Sequence, residues 1–321
     1  MSCWYLRIFL IAIGSFVLQS NLLGQGCCSG GTPLSSNLGI QTVKGKSLQL
    51  QLSYNYNNQG TLLSGSTVLE DNNRLRNTHS IILRTSYGIS EKFSVTGLFS
   101  MIRQEEIVTT LFGTENFQMA QGIGDMVLMM QYQAIEKNDQ YFILAGGVKM
   151  PTGATDRTDS EFGIPLNPDL QPGTGSWDLL FGLNYSVNHV MKQNLTFLAV
   201  STFRLTTAAE RFNGQQLYEF GDEFQILTGF KDSYFLKKWI IDPSILLRYR
   251  ITGFDKTNNI ETPNTSGQWL HLVPEIDFDV TPSFGFAISG EIPLYRNLEG
   301  IQLTTSYILK LTFDYRFSSS N

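Results

Sequence analysis

The chain has 321 residues, of which 16% are charged and 12% aromatic, and its formal net charge is −5. An average soluble domain carries roughly 25% charged residues, yet here the mean hydropathy is near neutral (−0.07) and no run of 18 apolar residues follows the N-terminus. A helical membrane protein is thereby excluded, and the acidic balance without any basic cluster argues against a nucleic-acid partner.

The first residues read as a secretory signal. Arg7 supplies the positive start, residues 8–18 form an apolar stretch too short to span a bilayer, and small and polar residues follow as far as Gly26. Cleavage is expected near residues 24–26, which gives a signal over 1–26 and a short mature segment over 27–46. Cys3 falls inside the signal, so the mature chain keeps only the adjacent pair Cys27 and Cys28. Neighbouring cysteines can close a strained vicinal disulfide, bind a soft metal as thiolates, or offer one sulfur to a lipid. Two thiols fall short of the three or four ligands of a usual metal site, and residues 23–26 make a poor lipoprotein signal. A local structural role therefore ranks first, and no cofactor is expected.

From Ser47 onward the dominant period is two, the period of a strand. Leu48, Leu50, Leu52, Tyr54 and Tyr56 alternate with Ser47, Gln49, Gln51, Ser53 and Asn55. A strand turns one set to lipid and the other to a lumen, where a helix would scatter both. The same face then carries Ile81, Leu83, Tyr87 and Ile89, followed by Phe93, Val95, Phe99 and Met101. Met126, Leu128, Met130 and Tyr132 come next, then Phe142, Leu144, Val148 and Met150. Further runs span residues 177–187, 195–205, 220–230, 239–251, 270–280, 284–294 and 303–317. These make about twelve strands, most as long as the roughly 9–11 tilted residues that cross a bilayer.

The links carry independent information. Short ones fall at residues 90–92, 137–139, 188–194, 231–238 and 281–283, and long ones at 57–77, 105–121, 151–175, 207–218 and 255–268, with a modest one at 295–300. Long and short alternate throughout, as they do in bacterial outer-membrane barrels, which have short periplasmic turns, long outer loops and an even strand count. A soluble sandwich has no reason to sort its loops this way. The prediction is an all-β, up-and-down antiparallel transmembrane β-barrel of about twelve strands over residues 47–317. It is expected in the outer membrane of a Gram-negative-type bacterium, surrounded by lipid, with both termini periplasmic.

Finer expectations follow from that frame. Trp177 and Trp269 should begin strands at the outer rim, with Trp239, Tyr132 and Phe317 at the periplasmic rim, where an apolar ring and a polar tip are both satisfied. The alternating aromatics that end at Phe317 are expected to serve as a C-terminal signal for the outer-membrane assembly machinery. Segment 27–46, with its Gly- and Ser-rich, charge-free start, is expected to tuck into the lumen as a plug or hatch. Pro243, Pro274 and Pro293 fall inside strands of a barrel that has no free edge, so each needs a bulge or a rim position. Asp222 requires a bulge at Gly221 or a later strand start.

The inward parity collects Lys149, Arg204, Glu223, Asp242, Arg248, Arg250, Glu275, Asp277, Asp279, Glu291, Lys310, Asp314 and Arg316. Charge belongs there, because a lysine or arginine on the lipid face near the midplane costs roughly 2–4 kcal/mol. Arg248 and Arg250 stand on the strand before Glu275, Asp277 and Asp279, which predicts cross-strand ion pairs. Such a ladder either stiffens a narrow lumen or forms a charged constriction that selects solutes. Catalysis is not expected. His79, His189 and His271 have no partner at useful spacing, and neither a Gly-x-Ser-x-Gly elbow nor a His-Glu-x-x-His motif is present.

Three glycine-rich segments stand out beyond the periodicity: residues 122–125 (GIGD) opening a strand, 146–153 (GGVKMPTG) closing the next, and 172–178 (PGTGSWD) opening the one after. Glycines at strand entries permit bulges and close backbone approach at a barrel rim. Asp125 and Asp178 fall on inward parity at the outer ends of their strands, where bracing of loop amides is favoured over contact with a solute. Together these motifs resemble the outer-membrane family named for the meta-pathway of phenol degradation, well over residues 122–188 and elsewhere mainly as a barrel. The resemblance implies a barrel transporter, distantly akin to channels that import fatty acids and aromatics, with a small-molecule solute as its partner. A non-conducting structural or partner-binding barrel is the alternative.

Overall fold

A computed structural model describes residue 43 and residues 45–317, apart from 72, 110–112, 160–162 and 215. Twelve antiparallel strands make the barrel: β1 (Leu48–Gln59), β2 (Arg74–Gly88), β3 (Phe93–Thr109), β4 (Met126–Lys137), β5 (Gln140–Met150), β6 (Asp178–Val187), β7 (Leu195–Leu205), β8 (Glu223–Asp232), β9 (Trp239–Thr252), β10 (Gly267–Asp279), β11 (Phe284–Thr304) and β12 (Tyr307–Phe317). Each pairs with the next in chain order. β12 returns to β1, with Leu48 opposite Phe317 and Tyr54 opposite Leu311, so the sheet closes and no barrel strand is left as an edge. The expected signal at 1–26, Cys27 and Cys28, and nearly all of the expected plug segment 27–46 lie outside the described residues.

The pleat realises the alternation in the sequence. Leu52, Ile81, Leu83, Phe99, Leu128, Leu144, Phe181 and Leu183 stand 40–51% exposed on the outside, while Ser53, Ile82, Arg84, Leu98, Met129, Ala145 and Leu180, which alternate with them, are buried. An outside this apolar is solvated by hydrocarbon rather than water. It also pins the register, since a slip of one residue would exchange the two faces. No described helix is long and apolar enough to cross a membrane; crossing falls to the strands.

The five short links fall at one end of the barrel and the long ones at the other. At the long-loop end the chain makes structure of its own. β3 runs on to Thr109 and pairs with the ribbon Glu115–Ile123, so part of the expected loop 105–121 is sheet. Thr61–Gly65 and Thr67–Leu69 form a hairpin against the end of β11. Ala209–Phe212, Gln216–Glu219, Lys256–Thr257 and Ile260–Glu261 join two loops into a separate four-stranded sheet. The modest link expected at 295–300 lies within β11, where the register shifts between Leu298 and Ile301 and Gly300 takes φ 67°.

The prolines find three different solutions. Pro243 pairs with β10 only, because β8 stops pairing at Ser244 and the ribbon Tyr234–Leu236 resumes at Ile241. Pro293 sits at the bulge between Leu270 and His271. Pro274 needs no bulge. The ladder to β11 stops at Leu272↔Ile292 and resumes in the same register at Glu275↔Ser289, so the missing N–H of Pro274 costs a gap in the ladder rather than a shift. Asp222 lies before the start of β8 and accepts hydrogen bonds from the Thr206 amide and hydroxyl (2.8 and 2.9 Å). Trp269 is a correction. It shares parity with His271 and Val273, and it is buried inside the loop end against Leu63 and Leu298 instead of standing in the rim.

Candidate functional site

The lumen has three layers, each built by identifiable residues. At the loop end the three glycine-rich motifs converge on one buried ion network. Lys149, from the end of β5, lies 3.2 Å from Asp125 and 2.8 Å from Asp178 and also contacts the Thr174 hydroxyl. Asp125 further accepts from the Gly153 amide (2.9 Å), the Thr174 amide (2.9 Å) and the Thr174 hydroxyl (2.6 Å). Asp178 accepts from Ser176 (3.0 Å). The glycines let the backbones meet: a Cβ on Gly153 would lie 2.5 Å from the Gly173 Cα. All three charged groups are about 99–100% buried, and their hydrogen bonds run to the two roots of the loop 151–177.

That loop reaches over the mouth. The one helical turn among its described residues, Pro168–Leu170, delivers Asp169 to Arg76 of β2 (2.6 Å), and Arg76 also pairs with Glu106 of β3 (3.0 Å). Gln104 donates to the Asp169 carbonyl (3.1 Å), and Leu166 and Leu170 bury themselves against Ala120. Gln171 ties the loop to itself by donating to the carbonyls of Arg157 and Leu166. An isolated buried charge would be costly here, so the Arg76 pairs fix where the turn sits.

Below the mouth an apolar band runs around most of the inner wall, and Ser53 of β1, opposite Ile82, and Thr312 of β12 share a hydrogen bond (3.0 Å) in the part it leaves. Ile82, Leu98, Val127, Met129, Ile143, Ala145, Leu180 and Val200 pack as one cluster, and Leu198 joins it to a second made of Leu227, Leu246 and Val273. The collar therefore draws on every strand from β2 to β10.

Nearer the short-turn end a cavity of about 240 Å³ opens, lined mainly by β8–β12, β1 and β2. Most of its charges are paired. Lys231 bridges Asp242 and Asp277 (2.9 and 3.0 Å), Arg316 reaches Asp314 and Asp279 (3.0 and 3.8 Å), and Arg248 binds Glu291 (2.5 Å). Arg250 lies above the cavity, on Glu223 (2.8 Å) and over the Trp269 ring.

The expected partners of the two arginines were the wrong ones. The register sets Arg248 opposite His271 and Arg250 opposite Trp269, while Glu275 and Asp277 face Ser244 and Asp242, nearer the turn end. Arg248 turns instead to Glu291 of β11 and Arg250 to Glu223 of β8. Lys149, Asp125 and Asp178 come together as one unit, which neither the arginines nor Glu275 and Asp277 join. Reading the sequence by its outward face missed the collar, Arg76 and Arg84. The signal was present: Ile81-Ile82-Leu83, residues 126–130 and Leu179-Leu180-Phe181 are continuous apolar runs, and a strand with such a run is apolar on both faces. Arg76 and Arg84 lie on the same parity as Ile82.

No family model and no curated protein matches the chain. Among solved structures, an outer membrane channel from Pseudomonas putida F1 superposes with a TM-score of 0.68 at 12% identity, over 88% of this chain and 99% of that one. The beta domain of the Bordetella autotransporter BrkA reaches 0.49 at 9% identity, over 85% and 100%, and a FadL homologue from Pseudomonas aeruginosa 0.40 at 9%, over 84% and 90%. The first of these likenesses places the chain in the fold of Gram-negative outer-membrane barrels.

Proposed function

We propose that the protein is an outer-membrane channel that admits small apolar or aromatic solutes passively, after export by the signal at 1–26 and with both termini on the periplasmic side. The carrying observation is the collar: a barrel that passed only polar nutrients would have no use for leucine, isoleucine, valine and methionine from nine successive strands inside its lumen. A hydrophobic constriction resists water and ions while passing molecules that do not need a hydration shell. The fold shared with the Pseudomonas putida channel is consistent with this role. Asp125, Lys149 and Asp178 act in it by holding the loop 151–177, whereas Arg248, Glu275 and Asp277 face the solute path directly and Arg250 stands just above it. The aromatics Phe313, Tyr315 and Phe317 of β12 serve its assembly.

Swelling of proteoliposomes tests the reading. Faster entry of benzyl alcohol or phenol than of arabinose, with small single-channel currents, is expected. Absence of both swelling and current in a correctly folded preparation would leave a structural barrel instead.

A further inference from the structure

Three of the long loops are tied into one cap over the mouth. On one side the turn Pro168–Leu170 reaches Arg76 of β2 through Asp169 (2.6 Å). Gln171 then donates to the Asn213 side chain (3.3 Å) and the Asn213 amide to the Thr155 carbonyl (3.2 Å), so loop 151–177 holds the loop between β7 and β8. Within that second loop Ala209, Phe212, Tyr218 and Phe220 bury themselves together. The third loop, between β9 and β10, joins through the separate four-stranded sheet and through the Asp255 carboxyl. Its two oxygens accept from the Tyr218 hydroxyl (2.6 Å) and the Gly221 amide (2.7 Å). β2 and β9 stand nearly opposite in a closed ring of twelve strands, so this chain of contacts crosses the mouth.

Asp255 differs from the other carboxylates of the cap. Asp169 has Arg76, Glu219 has Lys256 (2.8 Å), Asp222 accepts from the amide and hydroxyl of Thr206, and Glu210 and Glu261 are exposed. Among the described residues Asp255 forms no ion pair. Arg204 of β7, the cation that acts on it, is shared with Glu223 (3.6 Å), and Asp169 repels it. Tyr218, which donates to it, is only 2% exposed. Enclosing a carboxyl without a cation of its own favours the neutral form. We propose that Asp255 is a proton-operated latch, which holds the three loops over the mouth while its carboxyl is neutral and lets them part once it ionises. Its effect on passage rests on the channel reading above. In the closed cap burial sets the carboxyl at about 6, against an ordinary 3.8. Closure therefore favours the proton, and the stabilisation it gains is complete below pH 4 and is lost as pH rises through 6. Between pH 5 and pH 7.5 the ratio of open to closed cap should rise about tenfold.

The test compares the full chain with its Asp255→Asn variant, uncharged at every pH, in liposomes at pH 5 and pH 7.5. Two quantities are read: the rate of swelling with benzyl alcohol, and the protection of the Asn213 amide relative to its intrinsic exchange rate. In the unaltered chain swelling should rise and protection should fall, each about tenfold. In Asp255→Asn both should stay within twofold of their values at pH 5. Protection that does not fall in the unaltered chain, or a pH dependence that survives in the folded variant, would overturn the inference. Should Asp255→Asn fail to fold, judged by the heat-dependent shift of the barrel on a gel, Tyr218→Phe serves in its place. Loss of a donor that steadies the ionised carboxyl should move both transitions to lower pH, and unmoved transitions would overturn the latch. The two readings fail separately. No swelling at either pH, with the fall in protection intact, defeats the channel and leaves the latch, while equal swelling at both pH values defeats the latch alone.

Discussion

Single buried charges decide how the loops of this barrel are held. Lys149 neutralises two aspartates that have no water to turn to, so removing it strands both. Lys149→Met is expected to cost about 3–5 kcal/mol, read as a lowered urea midpoint for unfolding in detergent micelles; adding Asp125→Asn and Asp178→Asn should recover much of the loss. Asp255, in the loop between β9 and β10, is a second such residue. It accepts from the Tyr218 hydroxyl (2.6 Å) and the Gly221 amide (2.7 Å), and burial pushes its carboxyl up to about 6. The folded form therefore holds a proton that the unfolded form, with a pKa of 3.8, releases. The resulting stabilisation is complete below pH 4 and is lost as pH rises through 6. Protection of the amides at residues 216–219, taken as the exchange rate relative to the intrinsic rate at each pH, should fall between pH 5 and pH 7.5, and Asp255→Asn should abolish that fall.

At the scale of elements, the strands are plain and the loop-end structures are specific. Loop 151–177 owes its path to the place where its two roots touch, because Gly153 and Gly173 meet without side chains. Gly173→Val would drive a side chain into the Gly153 backbone and is expected to cost about 1–3 kcal/mol by overpacking. The measurable sign is faster proteolysis within the loop while the barrel still runs as a folded band. The strands themselves show how sharply one pleat separates two solvents. On β2, Leu83 faces lipid and Arg84 faces the lumen cavity. Leu83→Arg, one residue from a native arginine, should destabilise the barrel by roughly 2–4 kcal/mol, measured by denaturant unfolding in lipid vesicles.

For the whole molecule, period-two alternation and the sorting of link lengths were enough to specify twelve strands, their order and the end at which the long loops gather. Both are local signals. Alternation comes from the geometry of one extended strand, and in an up-and-down barrel each strand pairs with its neighbours in the chain, so order in sequence is order in space. The inward charges were legible for the same reason, and Lys310 was among them. Their partners were not. Arg248 with Glu291, Arg250 with Glu223 and Arg76 with Asp169 depend on register, on strand tilt and on a loop folding back over 93 residues of chain, none of which a single strand encodes. Nor could alternation reveal the collar. An inward leucine and an outward leucine are the same letter, and only closure of the sheet makes one side a membrane surface and the other the lining of a lumen.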